Sequence, residues 1–400
     1  MSWGGVVQDL EQRFPTVGLA KLNLIAGLCN LFTNGFAFFS GRLADRYGAR
    51  PILFSGATLA TVSMIAAAVS QNSLPLLFIF QGLGLGLAFG LGFPVFVSLP
   101  SQWFVRRRGL ATGIAVSGTG FGGALLSLLI RYLLPRYGYR TTLLIWAAII
   151  GFLSSLALLL ASEHPSRRTK HTRPAERKPW LPSEVWRDGA FYSVALTVFV
   201  GIFGYLVPTS LLNIYTQQKV SSTGTGLESA VPLIASNVAS GCGRILAGLC
   251  ADQVGPVNLL VLSFLLGGVL QIAWWAHATS LGSITAFAAI YGLTASWMVS
   301  LLPPSLAQLF TSPLAASAAT DEGDAPPTSD VDGLATLSGF MLLCNAPGMA
   351  AGPTIAGAVL SAAGGDWKAV AYYGGGCMVA GGVVLSYARF SREKRLLARY

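Results

Sequence analysis

Charged side chains are scarce in this chain. Asp, Glu, Lys and Arg make up 10% of the 400 residues, whereas a soluble domain carries about a quarter of its residues as charges. So few charges cannot cover a water-facing surface of this size, which leaves lipid as the solvent for much of the surface. The net charge of +10 lies in short clusters between apolar runs, so we expect no nucleic-acid partner.

Residues that carry out catalysis are also few. The chain has three histidines, His164, His171 and His277. It has no zinc-ligand spacing, nucleophile elbow or Gly-Lys-Ser phosphate loop. The five cysteines show neither metal-ligand spacing nor the pattern of a disulfide framework. We therefore expect no enzymatic activity, no cofactor, no metal and no ATP-driven transport.

Long apolar runs dominate the chain instead. Hydrophobic residues make up 53% of the sequence and glycine contributes 47 residues, a combination typical of helices packed closely in lipid. A bilayer core about 30 Å thick needs roughly 20 apolar residues in a helix. The sequence predicts an all-α integral membrane protein with eleven spans: 17–40, 52–70, 75–99, 109–131, 141–161, 190–215, 230–250, 257–276, 280–303, 333–361 and 369–388.

Two polar segments interrupt the series of helices. The basic segment 162–189 separates five predicted helices from six, and segment 311–332 has the Ala, Ser, Pro and acid content of a flexible loop. We predict a helical bundle over 1–161, a basic cytoplasmic linker over 162–189 and a six-helix bundle over 190–400. Lys and Arg concentrate in the linker and in alternate connections, which places those connections in the cytoplasm.

One motif occurs in both predicted bundles, in the predicted loop after the span 17–40 and in the predicted loop after the span 230–250. The sequence GRLADRYG begins at position 41 and GLCADQVG begins at position 248, so Gly, Ala, Asp and Gly recur 207 residues apart. A repeated motif indicates a duplicated bundle, which is a common plan among transporters. The motif resembles the signature that the major facilitator superfamily carries after its helices 2 and 8. The resemblance implies a fold of two helical bundles.

Further motifs resemble the monocarboxylate-transporter-like branch of that superfamily, especially its fungal members. They are QWFVRRRGLATGIA from position 102, SGTG from 117, Gly243-Arg244-Ile245 and GPTIAG from 352. Since the family has twelve helices, the first helix here corresponds to family helix 2 and helix 1 is expected to be missing. Such a chain would be a truncated or a degenerate member.

The repeated motif also predicts a conformational switch. A carboxylate at a helix end can accept hydrogen bonds from the N-terminus of a neighbouring helix, where the partial charge is positive. The resemblance implies that such contacts close the cytoplasmic side and break when the halves rock. Ordinary loop caps and lipid-headgroup charges are the alternative interpretation. The predicted switch residues are Gly41, Asp45, Arg46, Gly48, Gly248, Asp252 and Gly255.

Arg244 is the main charge predicted inside a membrane helix. Charges there cost several kcal/mol and are functional hypotheses by default. In the resembled branch an arginine at this position meets the substrate carboxylate, although the usual acid one turn earlier is Ser240 here. Snorkelling to the cytoplasmic surface is the alternative. Further substrate-site candidates, each of which is also an ordinary interhelical hydrogen-bonding residue, are Asn237, Asn30, Asn34, Tyr205, Tyr291 and Asn345.

These patterns together predict secondary active transport of a small organic anion, a monocarboxylate, by alternating access. The expected partners are the lipid bilayer and a small-molecule substrate, with protons as a possible co-substrate. The expected location is the plasma membrane. Export of a hydrophobic metabolite is an alternative that does not require Arg244, and a vestigial membrane protein that transports nothing is another.

Overall fold

The described part of the chain is helical throughout. The computed structural model describes residues 6, 9–11, 13–17, 19–104, 107–161, 183–220, 230–318 and 334–392. Eleven long helices, numbered α1 to α11, correspond one to one to the predicted spans. They are α1 Leu19–Tyr47, α2 Ala49–Val69, α3 (Leu74–Leu77, the π-helical Phe78–Gly84 and Leu85–Trp103), α4 108–137, α5 139–160, α6 (Gly189–Tyr205 and Val207–Lys219), α7 Val231–Val254, α8 Pro256–Ala273, α9 (Leu281–Ala295 and Trp297–Ala318), α10 Leu334–Ala362 and α11 Trp367–Arg392.

These helices form a multi-pass integral membrane protein. Among the described residues, ten helices are long and apolar enough to cross a bilayer. The eleventh, α10, has 29 residues and is not among those ten. Large apolar side chains such as Phe152 and Leu159 are 70% and 79% exposed on the outer surface. Such a surface is stable against lipid and would be unfavourable in water.

Several helix boundaries differ from the predicted ones. α1 continues to Tyr47 and α7 to Val254, so each motif forms the last turns of a helix and the prediction of a loop there was wrong. Leu43 and Ala44, like Leu249 and Ala251, keep the apolar helical pattern, and only the final glycine ends it. α9 continues to Ala318, so the predicted loop starting at 311 begins later. A short helix, Ser183–Arg187, lies within the predicted linker, and residues 162–182 and 319–333 lie outside the described residues.

The final glycines of the two motifs adopt the same unusual backbone. Gly48 has φ 92° and Gly255 has φ 96°, which glycine adopts at little cost. Their N–H groups donate to the carbonyls of Ala44 and Ala251 at 2.9 and 3.0 Å, ending one helix as the next begins. The repeated sequence therefore gives a repeated local structure.

Buried apolar side chains form separate cores in the two parts of the chain. One cluster lies within residues 185–388, and two others lie within residues 6–147. We call residues 6–161 the first half and residues 183–392 the second half. Val6 and Leu10, which precede α1, are buried in the first half. Gly138, with φ 71°, breaks the helical run between α4 and α5 and turns the chain back across the membrane.

Candidate functional site

The halves meet along two equivalent seams. In seam A, α1 packs against α10, and in seam B, α7 packs against α4. A Cβ atom added at Gly339 of α10 would overlap the carbonyl oxygen of Ala37, and one added at Gly113 of α4 would overlap that of Arg244. Ala37 and Arg244 are 207 positions apart, the same separation as the two motifs. Equivalent positions of the sequence repeat therefore make equivalent contacts in the two seams. In each seam a glycine lets the helices approach closely.

Seam B carries hydrogen bonds between the halves at the end where the motifs lie. The Asp252 carboxylate accepts a bond from the backbone N–H of Gly109 at 3.0 Å and another from that of Leu110 at 3.2 Å. These N–H groups belong to the first turn of α4, where backbone donors are unpaired and the partial charge is positive. Close packing of Gly109 against Gly248 holds the two helices at this distance. The carboxylate therefore joins the two halves, and we call this contact the Asp252 clasp.

The first copy of the motif is described less fully. The Asp45 side chain lies outside the described residues. Gly41 is buried. Arg46 is exposed, and its guanidinium lies 5.3 Å from the ring centroid of Tyr47 on the same helix. Gly48 and Gly255 have the backbone role described above, and Gly248 belongs to the clasp.

Arg244 lies in seam B closer to the middle of the membrane and is 8% exposed. Its Nη1 donates to the carbonyl of Val116 at 3.1 Å and also to the hydroxyl of Thr119, both on α4. Its Nε is buried and has no hydrogen-bond partner. Among the described residues, no carboxylate forms an ion pair with Arg244. The charge is thus stabilised by neutral oxygens of the other half.

Two of the four candidate asparagines lie at equivalent positions in the two seams. Asn30 on α1 and Asn237 on α7 are 207 positions apart. Asn34 is buried, and its amide donates to the carbonyl of Asn30 at 2.9 Å. The Oδ1 atom of Asn237 lies 3.4 Å from a Cβ placed on Gly123 of α4. Asn345 on α10 is 1% exposed and its Oδ1 has no partner, so it retains an unused acceptor.

The two tyrosines belong to the interior of the second half. The Tyr291 hydroxyl donates to the carbonyl of Tyr205 at 2.7 Å, and Gln271 donates to the Tyr291 hydroxyl at 3.3 Å. Tyr291 and Gln271 are buried. Tyr291 therefore connects α9 to α6.

The sequence did not single out Thr119, Val116 or Gln271. A backbone carbonyl such as that of Val116 carries no sequence signal. Thr119 was noted only as part of the SGTG motif from position 117, with no role of its own. Gln271 was one polar residue in an apolar span, with nothing in the sequence to indicate its partner. In each case the partner lies on another helix, and only the fold brings them together.

Comparisons with known proteins place the chain in one family. Residues 3–320 match the Major Facilitator Superfamily. An MFS-type transporter of Gibberella moniliformis is 28% identical over 86% of this chain and 76% of its own length. The fujikurins efflux protein of Gibberella fujikuroi is 25% identical over 99% and 80%. The aspyridones efflux protein apdF of Emericella nidulans is 26% identical over 76% and 60%.

A solved structure has the same fold. The human organic anion transporter MFSD10 (TETRAN) superposes with a TM-score of 0.65 at 17% identity, covering 96% of this chain and 89% of that one. The eleven helices, the duplicated motif and the paired seams agree with the sequence match over residues 3–320. This chain belongs to the Major Facilitator Superfamily of membrane transporters.

Proposed function

We propose that this protein exports an organic metabolite by alternating access between its two halves. The observation that best supports alternating access is the Asp252 clasp, because it joins the halves through two hydrogen bonds at one end of a seam. Such a contact can break and re-form without unfolding either half. In this proposal the clasp end faces the cytoplasm, as the basic connections favour, and the clasp closes that side while the opposite side is accessible.

Relatives that are named as efflux proteins favour an organic metabolite as the substrate and export as the direction. The proposed path lies between the seams, where Asn30, Asn34, Asn237 and Asn345 supply amide groups. Amides bind the polar groups of an organic molecule without requiring it to be charged. The proposed location is the plasma membrane, since an exporter there removes its substrate from the cell.

Transport of a monocarboxylate is the second candidate. Arg244 favours it, because a buried guanidinium with an unpartnered Nε has a donor available for a carboxylate. Coupling to protons is part of this candidate, with Ser240 at the place where the resembled branch has an acid. A non-transporting role remains the alternative to both.

A flux assay separates these candidates. The purified full chain is reconstituted in sealed vesicles, sorted by which face lies outward, and assayed with a lipophilic fluorescent organic dye and with radiolabelled lactate. Export predicts dye movement from the clasp face to the other face, with Asp252→Asn reducing it. Lactate flux that depends on Arg244 and on an imposed pH gradient would support the second candidate. Movement of neither compound would contradict both.

A further inference from the structure

The two seams differ at one pair of equivalent positions. Seam B has Arg244 where seam A has Ala37, although each residue presents its carbonyl to a glycine of the facing helix. The backbone packing is thus conserved between the repeats, while the long cation is present in one seam only. In seam A, Phe38 contacts Phe340 with ring centroids 5.8 Å apart, which is an apolar contact. Seam B therefore has a polar connection at a position where seam A has an alanine side chain.

The bonds around Arg244 form a closed set of three groups. The Thr119 hydroxyl donates its proton to the Val116 carbonyl at 2.8 Å, so its lone pairs remain available as acceptors. The Arg244 Nη1 donates both to that hydroxyl and to the same carbonyl. Because a hydroxyl both donates and accepts, Thr119 bonds to Val116 and to Arg244 at the same time. Valine has the same shape but could make neither bond. Among the residues that the structure describes, no acid forms an ion pair that would hold the guanidinium in the second half.

We propose that Thr119 is a positioning residue that holds Arg244 on α4, and that the pair is a latch closing seam B. This inference rests on the alternating access proposed above. Opening the seam separates α7 from α4 and breaks the bonds that Arg244 makes to α4, which are strongest in the low-dielectric interior of the closed seam. The latch therefore favours the closed arrangement together with the Asp252 clasp, at a second point along the same seam.

Thr112 supplies a matched control on the same helix. Its side chain is 0% exposed and its hydroxyl has no hydrogen-bond partner. Thr112→Val thus makes the same chemical change as Thr119→Val without removing a bond. Thr119→Ser keeps a hydroxyl and is expected to restore the latch. Thr119→Ala is a second hydroxyl-free variant in case the valine impairs folding.

The experiment measures the arrangement of the halves directly. Spin labels are placed at exposed positions 104 and 254, which lie near the clasp end of seam B, in the full chain with its native cysteines replaced. Distance distributions are recorded in lipid nanodiscs. We expect Thr119→Val and Thr119→Ala to raise the ratio of open to closed molecules about tenfold, as expected when one hydrogen bond to a charged group is lost. Thr119→Ser and Thr112→Val are expected to keep the original ratio.

Asp252→Asn in the same labelled chain separates the two proposals. If it opens seam B while both hydroxyl-free variants at position 119 leave the ratio unchanged, the latch is overturned and alternating access stands. If Thr112→Val opens the seam as much as Thr119→Val, the effect is one of packing and the latch is likewise overturned. If no variant changes the distances, alternating access itself is contradicted.

Discussion

Asp252→Asn should lower the ratio of closed to open molecules at seam B about tenfold. The carboxylate uses both oxygens, accepting from Gly109 at 3.0 Å and from Leu110 at 3.2 Å. Asparagine keeps one acceptor oxygen, so one bond is lost and the other loses its charge assistance. A hydrogen bond to a charged group contributes about 1.5–3 kcal/mol, and an anion at an exposed helix N-terminus adds about 0.3–1 kcal/mol. Because the Asp252 side chain is exposed to water, we take the lower end, about 1.5 kcal/mol, which is about tenfold in the equilibrium.

The assay is the spin-label distance between positions 104 and 254, with transport of the lipophilic dye measured on the same preparations. Asp366→Asn is the matched control. Asp366 also accepts a bond from a backbone N–H at a helix N-terminus, that of Lys368 at 2.9 Å, but both residues lie in the second half. We expect Asp366→Asn to leave the distance between the halves unchanged. An unchanged distance in Asp252→Asn, or an equal change in both variants, would refute the reasoning.

The remaining predictions concern packing, charge and topology. Gly113→Ala should separate α4 from α7 and lower stability, because the added methyl overlaps the Arg244 carbonyl. In Gly118→Ala, on the same helix, the methyl meets nothing within 4 Å, so its stability should be unchanged. Thermal unfolding of the purified variants measures the difference, and equal stabilities would contradict the prediction. In the monocarboxylate candidate, Arg244→Lys should keep membrane insertion but lose most lactate flux, because lysine lacks the planar fork that binds a carboxylate with two parallel hydrogen bonds; equal lactate flux per molecule would remove Arg244 from the substrate site. An epitope tag in 162–182 should be accessible from the cytoplasm and one in 221–229 from the opposite side, since one span separates them; protection of both tags from the same side in sealed vesicles would contradict the topology.

The eleven helices could be predicted because hydropathy and helix length are local properties of the sequence. All eleven predicted spans correspond to helices in the described residues, and ten of these are long and apolar enough to cross a bilayer. Boundaries were predicted less well. The motifs read as loops because of their charges and glycines, yet α1 and α7 continue through them. Only the final glycine, with its positive φ, ends each helix.

The candidate site was predicted in part. Asp252 was expected to accept hydrogen bonds from a neighbouring helix N-terminus, and it accepts two from α4. The repeat also related Asp45 to Asp252. The identity of the facing helix could not be predicted, because it depends on how the two halves are placed. For the same reason the partners of Arg244 are absent from any sequence pattern, since Val116 contributes a backbone oxygen.

The substrate-site residues were chosen by one rule, that polar groups inside apolar helices have a function. That rule selects structural and binding residues alike. Tyr291 bonds to the Tyr205 carbonyl inside the second half, whereas Asn345 has an unused acceptor. Burial and hydrogen-bond partners distinguish structural residues from binding residues, and the sequence supplies neither.

The central claim is that the halves open alternately at their two ends, and a paired distance measurement tests it most directly. One label pair at positions 104 and 254 reports the clasp end of seam B. A second pair, at exposed positions 128 and 231, reports the end nearer the start of α7. The account predicts that Asp252→Asn lengthens the first distance and shortens the second, because opening one end closes the other. Lengthening of both distances, or a change in one pair alone, would contradict alternating access in this protein.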